Sequence, residues 1–469
     1  MNKLKALLGA LLVATSVLAV TGCSSADSSS ESEKEHYEDQ TMAPDKKDTI
    51  LDVIKDDKDN LLTGELENKT IKWMATWDIN PDGTGKKTPA DLLLFQERYG
   101  GKIDYINVTW DERYDKLSEK INGDEGVDFF YAGDMDAIPK GAIKEMFVPA
   151  DDYIDFDSDL WADVADANDM IMWNNKHYAA ATQTTGDSIA VIYNRKTMQE
   201  AGLDDPAKLY ENGEWTWDTF QEMLEKFVDN ENGKYGIDGW WFEFGLINTI
   251  GVPPVGIEDG KLVSHIGDPA MERVQNWMFE MYKKGLIAIG GPDYGWEAKP
   301  NYIGEGKLLF YPVGLYELYK EPEQWKQTYG EDAFFVPMPK DPNADEYYVP
   351  MGLEAYAFVS GGKNPEGVAK YLDCKRYCLL NEDARAVEDA VFTDDYGWSQ
   401  EMVDMKNSMW ELANENPVVD ISKGVSDDCG KLIDDNLRLT TRGTPWNETY
   451  NSIASVVQKY LDDINKTLE

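Results

Sequence analysis

An α/β fold divided between two domains is what this sequence predicts. Two observations carry that reading. Strand-like and helix-like segments alternate along the chain, which points to mostly parallel sheets. The chain has 469 residues, and the stretch from Leu66 to Glu469 is too long for one ordinary hydrophobic core.

The elements follow in order. Lys3 and Lys5 precede an apolar stretch, Ala6 to Val20, broken only by Gly9, Thr15 and Ser16. This is the basic start and short apolar core of a secretory signal, covering residues 1–22. It is short for a membrane span, which needs roughly 20 apolar residues. Val20, Thr21, Gly22 and Cys23 close it and a serine-rich run follows. That ending resembles the bacterial lipobox, which implies a diacylglycerol on the Cys23 thiol and a chain anchored by lipid to the outer face of the cell membrane. Residues 23–65 read as a flexible tether. Ile50, Leu51, Ile54, Leu61 and Leu62 within it fall at roughly helical spacing, but a mobile spacer is the expectation.

In the body, Thr70–Thr76, Ile103–Val108, Val127–Tyr131 and Ile189–Tyr193 read as strands. Pro89–Tyr99, Tyr114–Asn122, Lys196–Ala201, Trp217–Val228, Pro269–Lys284, Pro365–Leu380 and Tyr450–Leu468 read as helices, with Thr216 as the N-cap of the fourth. No later segment is long and apolar enough to span a membrane.

Charge and residue usage exclude several functions. The formal net charge is −43, and loss of Lys3 and Lys5 with the leader takes it to −45. Such a surface repels nucleic acid and anionic headgroups, and no basic patch offsets it. Besides Cys23 there are three cysteines, Cys374, Cys378 and Cys429, an odd number that precludes a complete disulfide framework in a monomer. One pairing with Cys429 stays open. The three histidines, His36, His177 and His265, form no H-E-x-x-H motif, and no G-x-S-x-G or phosphate-binding glycine loop occurs. Asp78, Asn80, Asp82 and Gly83 match the opening of a calcium loop, yet its twelfth position is Pro89 instead of a glutamate, so a turn is expected.

Several segments together resemble the family-1 extracellular solute-binding proteins, the sugar-binding components of ABC importers. They are Ile189–Tyr193 with Asn194, Arg195, Lys196 and then Ala201–Leu203; Gly213–Phe220 (G-E-W-T-W-D-T-F); Tyr235–Gly236; Ile303–Phe310 (I-G-E-G-K-L-L-F); Phe335–Pro339; and Ala357–Lys370. The resemblance implies a two-lobed periplasmic-binding-protein-like fold of type II, with a hinge and a ligand cleft between the lobes. Lobe one would comprise residues 66–187 and 346–380, lobe two residues 188–345 and 381–469, with crossings near Asp187, Glu346 and Asn381. It further implies capture of a carbohydrate or oligosaccharide, delivery to ABC permease subunits, a monomer, no cofactor and no catalysis. The alternatives are a secreted carbohydrate-active hydrolase and a binder of the same fold for a peptide or polyamine.

A sugar site needs aromatic rings for C–H faces and carboxylates for hydroxyls. Trp77 and Asp78 follow a strand and open a Gly/Pro-rich loop. Trp296 and Glu297 stand in another such loop, and Glu354 and Tyr356 precede an apolar strand. By the resemblance, Asp134 holds a hydroxyl, Asp187 reaches the ligand beside the hinge, Trp240 or Trp241 forms an aromatic platform, Tyr316 stacks from lobe two, and Arg442 and Trp446 are the weakest transfers. Trp215 and Trp217 are expected to be packing residues at a helix start.

Overall fold

The computed structural model describes residues 42–55, 57, 61–81 and 87–468. Cys23, the leader, and the Asp82 and Gly83 of the loop above lie outside the described residues. Twelve strands are present among them: β1 (Thr70–Ala75), β2 (Lys102–Asn107), β3 (Phe129–Tyr131), β4 (Phe147–Val148), β5 (Ala180–Thr185), β6 (Ala190–Asn194), β7 (Tyr235–Ile237), β8 (Val255–Glu258), β9 (Lys261–Ser264), β10 (Leu308–Val313), β11 (Ala333–Val336) and β12 (Gly352–Val359).

They form two main sheets and a hairpin. The first sheet runs β2-β1-β3-β12-β4, with β5 also on β12; the second runs β11-β6-β10-β7; β8 and β9 pair alone. The sheets are mixed, which corrects the expectation of mostly parallel ones. β1 pairs in parallel with β2 and β3, as right-handed strand–helix–strand units require. β12 returns to the first sheet after the excursion through the second and runs antiparallel to β3, β4 and β5. β6 is likewise antiparallel to both of its neighbours.

The central strands β1, β3 and β12 of the first sheet are covered on both faces, while the edge strand β2 (KIDYIN) stays largely exposed. Ile71 and Trp73 of β1 pack with Leu92, Phe95 and Tyr371, from the helices Ala90–Tyr99 and Pro365–Leu380. Met74, pointing the other way, joins Leu117 and Phe130. In the second lobe, the helix Trp217–Phe227 buries Trp217, Phe220, Met223, Leu224 and Phe227, the three-and-four spacing of one apolar stripe. Thr216 caps it in a reciprocal capping box with Thr219. Trp217 stacks flat on Trp277 at 4.3 Å and Trp215 is 1% exposed, so both are packing residues.

The chain passes from the first sheet to the second between Thr185 and Ala190, and returns between Val336 and Gly352. The third passage differs from the expectation near Asn381. The helix Glu382–Asp394 stays with the first lobe, packed on Pro365–Leu380 and on a helix Pro44–Lys55, so the chain leaves after Asp394. That N-terminal helix is itself a correction to the spacer reading. Ile50 is fully buried and Val53 nearly so, and the Asp57 carboxylate accepts from the Leu61 and Leu62 amides, both at 3.0 Å. Apolar residues at helical spacing had a partner surface to bury against, and that decides between spacer and helix.

The helix Gln400–Glu415 then packs on β5 of the first sheet and β11 of the second, beside the first passage. The last helices belong with lobe two, where Trp446–Asn465 covers β9.

Candidate functional site

The carboxyl ends of β1 and β3, the amino end of the antiparallel β12 and the passage after β5 gather the acidic side of the site. Trp77 follows β1. Its carbonyl accepts from the Trp73 indole at 3.1 Å, and its ring meets Tyr131 edge-on at 4.7 Å, leaving it 40% exposed. Asp78 closes a turn, its Oδ1 accepting from Asn80 N at 2.9 Å and from Asn80 Nδ2 at 3.0 Å. That turn explains the calcium-like spacing within the described residues, where no group of three or more potential ligands stands ready for a metal.

Asp134 sits past the end of β3. Burial first, and the neighbouring Asp136 second, push its carboxyl up to about 7, while Arg113 and Lys423 pull it down. Asp136 itself is saturated by Arg113 and by the Tyr114 hydroxyl at 2.6 Å. Glu354, on β12, accepts from the Tyr356 hydroxyl at 3.1 Å, and burial raises its carboxyl above the usual range against the pull of Lys375. Asp187 accepts from the Tyr319 hydroxyl, and its carbonyl takes the Leu315 amide at 3.0 Å. The Tyr131 phenol is raised chiefly by burial, and Glu354, Asp134 and Asp187 add to the rise.

The second lobe supplies rings. After β7, Gly239 is so close to the Pro312 carbonyl that a Cβ would stand 2.1 Å from it, and Trp240 and Trp241 follow, 55% and 38% exposed. Trp241 occupies the left-handed region at φ 60° as it opens the helix Phe242–Asn248. Trp296, 67% exposed, lies in the loop fastened by Asp238, whose Oδ2 accepts from the Tyr294 hydroxyl at 2.6 Å and the Lys299 amide at 2.9 Å. Arg442 stands 5.8 Å from the Trp296 ring. Tyr316, 49% exposed, follows Leu315, whose amide is held by Asp187.

Two expected residues are nearly buried, although Tyr356 still lines the cavity described below. Tyr356 is 4% exposed because alternation along β12 turns it into the core beside Trp73 and Phe129; only its hydroxyl serves Glu354. Trp446 is 3% exposed and packs on Tyr450, as the first residue of an amphipathic helix facing inward.

Beneath Trp77 and Glu354 opens a cavity of about 1280 Å³, walled also by Gln183, Glu388, Lys406 and Trp410. The last three, and the loop-fastening Asp238, were missed from sequence. Asp238 could have been found as the carboxylate ending the strand before the Trp pair. Lys406 and Trp410 carry only a helical spacing of four, which is common. Cys374, Cys378 and Cys429 are free and buried, so none pairs. No helix among the described residues is long and apolar enough to cross a membrane.

The raised Asp134 carboxyl makes stability pH-dependent. Its unfolded value lies near 4, so between about pH 4 and pH 7 the folded chain holds a proton that the unfolded chain has lost. This contribution to stability therefore shrinks as pH rises through that window. Glu388, pushed up to about 7 by burial and then by Asp91, adds to the same slope. Asp134→Asn is expected to flatten the fall of Tm between roughly pH 4 and pH 7; equal slopes in variant and parent would refute the assignment.

The description "bacterial extracellular solute-binding protein" belongs to a family model that matches residues 77–374. The maltotriose-binding protein of Pyrococcus abyssi (strain GE5 / Orsay) is 29% identical over 294 residues, covering 61% of this chain; the chain spans 59% of that relative's length. The cyclic alpha-maltosyl-1,6-maltose binding protein of Arthrobacter globiformis superposes with a TM-score of 0.63 at 14% identity, over 85% of this chain and 100% of that one. The GacH receptor of Streptomyces glaucescens, described unliganded and with acarbose, gives 0.58 at 15% identity, over 84% and 98%. These likenesses carry the two-lobed fold.

Proposed function

This chain belongs to the bacterial extracellular solute-binding proteins, and from that premise we propose that it captures an oligosaccharide between its lobes and hands it, unaltered, to the permease subunits of an ABC importer. The observation that carries the reading is the pairing of chemistries. Four exposed rings, Trp240, Trp241, Trp296 and Tyr316, stand on the second lobe, and the carboxylates Asp134, Asp187 and Glu354 gather at the strand ends of the first. Rings cover the C–H faces of a sugar and carboxylates accept its hydroxyls, so closure would bring both onto one ligand. The relative named for maltotriose supports this class.

Thermal unfolding of the chain from Ser24 onward, against a panel of sugars, peptides and polyamines, tests it. A ligand at 100 times its Kd adds about 2.7 kcal/mol. A selective rise of Tm with one sugar family is the expected result, and Trp240→Ala is expected to weaken that sugar about tenfold or more by calorimetry. A rise only with peptides or polyamines would replace the ligand. Sugar consumption at catalytic rates would replace the function.

The lipid on Cys23 belongs to the same proposal, with a monomer held at the outer face of the membrane by its acyl chains. Cys23→Ser is expected to release the protein into the medium when the producing cells are fractionated; retention with the membranes would refute the anchor.

A further inference from the structure

The cavity beneath Trp77 encloses an unpaired cation. Lys406 is 1% exposed and lines the cavity. Its ammonium lies 3.6 Å from the centre of the Trp410 ring and 4.6 Å from that of Phe392. Among the described residues it has no hydrogen-bond acceptor and no carboxylate at ion-pair distance. Asp389 and Asp187 act on it from farther away, and burial draws its pKa down. One turn along, the Trp410 indole N–H is enclosed and also meets no acceptor.

The other cations lining this wall are Lys375 and Arg376, which are satisfied, and Arg385, which is exposed to solvent. Lys375 bonds Asp91 at 2.8 Å, and Arg376 reaches the Leu160 carbonyl at 3.0 Å, the Thr182 carbonyl and Asp163. Cations on side chains this buried are normally paired within the protein, so an ammonium left facing the cavity is free to serve a ligand. Such an exception at the wall of a large cavity points to a ligand that supplies the acceptor.

The same cavity displays carboxylates, which limits what the ligand can be. Glu354, Glu388 and Asp389 also line it, so an anionic group reaching Lys406 would meet them. A hydroxyl-bearing ring suits both sets, accepting from the ammonium and donating to the carboxylates. Trp77 supplies an aromatic face at the same wall.

We propose that this cavity is an inner subsite for a neutral, hydroxyl-rich sugar unit, with Lys406 as its principal donor. The proposal rests on the carbohydrate reading above and extends it: the captured ligand is an oligosaccharide whose terminal unit passes Trp77 to reach the helix Gln400–Glu415. That helix also leans on the first passage between lobes, its Met409 carbonyl lying against Gly186, so an occupant would touch an element of the hinge.

The test begins with a thermal-shift panel of neutral and uronic-acid-containing oligosaccharides of increasing length on the chain from Ser24. Lys406→Met is then titrated by calorimetry with the best binder and with its shorter homologues. The free variant is expected to unfold at a higher temperature than the parent, since a buried unpaired charge has been replaced by an apolar isostere. Its affinity for the longest binder is expected to fall about tenfold or more while that for the shortest homologue stays unchanged. Lys406→Gln, which keeps a neutral donor, is expected to be intermediate, and it serves if the methionine variant misfolds. Equal affinity of parent and both variants for a bound oligosaccharide would overturn the subsite and leave the carbohydrate reading standing. A uronic acid as best binder would overturn the neutral-ligand claim. No shift with any sugar would overturn both readings.

Discussion

Gly424→Ala is expected to weaken ligand binding by about five- to 150-fold, the equivalent of about 1–3 kcal/mol of overpacking, while leaving Tm close to that of the parent. Gly424 lies in the short helix Ser422–Val425, which is tied to lobe two: Ile421 N donates to the Val255 carbonyl at 2.9 Å, and Val255 N donates to Asp420 at 3.3 Å. It faces lobe one. A Cβ there would stand 1.7 Å from the Ile138 carbonyl oxygen and 2.7 Å from its carbon. These are backbone atoms, so no side chain can swing aside. The cheapest relief is for the lobes to part, which would also stretch the neighbouring Lys140–Asp427 pair, now at 2.6 Å. Each lobe keeps its own sheet and the helices packed on it, so the strain falls on the contact between lobes and closure is penalised. Calorimetric titration beside a melting curve checks this, and unchanged affinity would mean that the ligand-bound form does not use this contact.

Gly186→Ala is expected to act at the opposite end of the mechanism and to lower both stability and affinity. Its Cβ would stand 2.1 Å from the Met409 carbonyl oxygen and 3.0 Å from the Trp410 amide. The helix Gln400–Glu415 would have to move off β5, against which it packs, and with it the shared support of the two sheets. Overpacking of this kind costs about 1–3 kcal/mol. Because Asp187 is the next residue, the Tyr319 and Leu315 hydrogen bonds that it receives would shift too. Melting curves and titrations should both respond. A variant that melts like the parent would show that the helix is free to yield.

Much of the frame was legible because its signals are local. Pro365 opens a helix that runs to Leu380 as read, with Asn364 as its cap, and Thr216 caps the next example by its own side chain. Trp296 stood out by its Gly/Pro-rich loop, whereas Trp240, Trp241 and Tyr316 were reached through the family resemblance; all four rings are exposed, although one of the tryptophan pair was expected to be packed. What failed depended on partners distant in sequence. Strand direction in β12 is set by where the chain returns, which no window of residues encodes. Helix Pro44–Lys55 exists because the helix Glu382–Asp394 offers it a surface more than three hundred residues away. Tyr356 and Trp446 carry the composition of a sugar site, yet face inward, since alternation on a doubly covered strand and the inner stripe of a helix both bury rings. Lys406 shows the converse. Nothing local distinguishes it from a solvated lysine until three elements close around it.

Hydrogen exchange followed by mass spectrometry, with and without the sugar that raises Tm most, tests the central claim most directly. Capture between the lobes predicts joint protection of residues 131–136 and 352–356 on the first lobe, the passage at 186–188, and residues 238–241, 294–299 and 314–319 on the second. Protection confined to one lobe, with the other unchanged at saturating sugar, would contradict it.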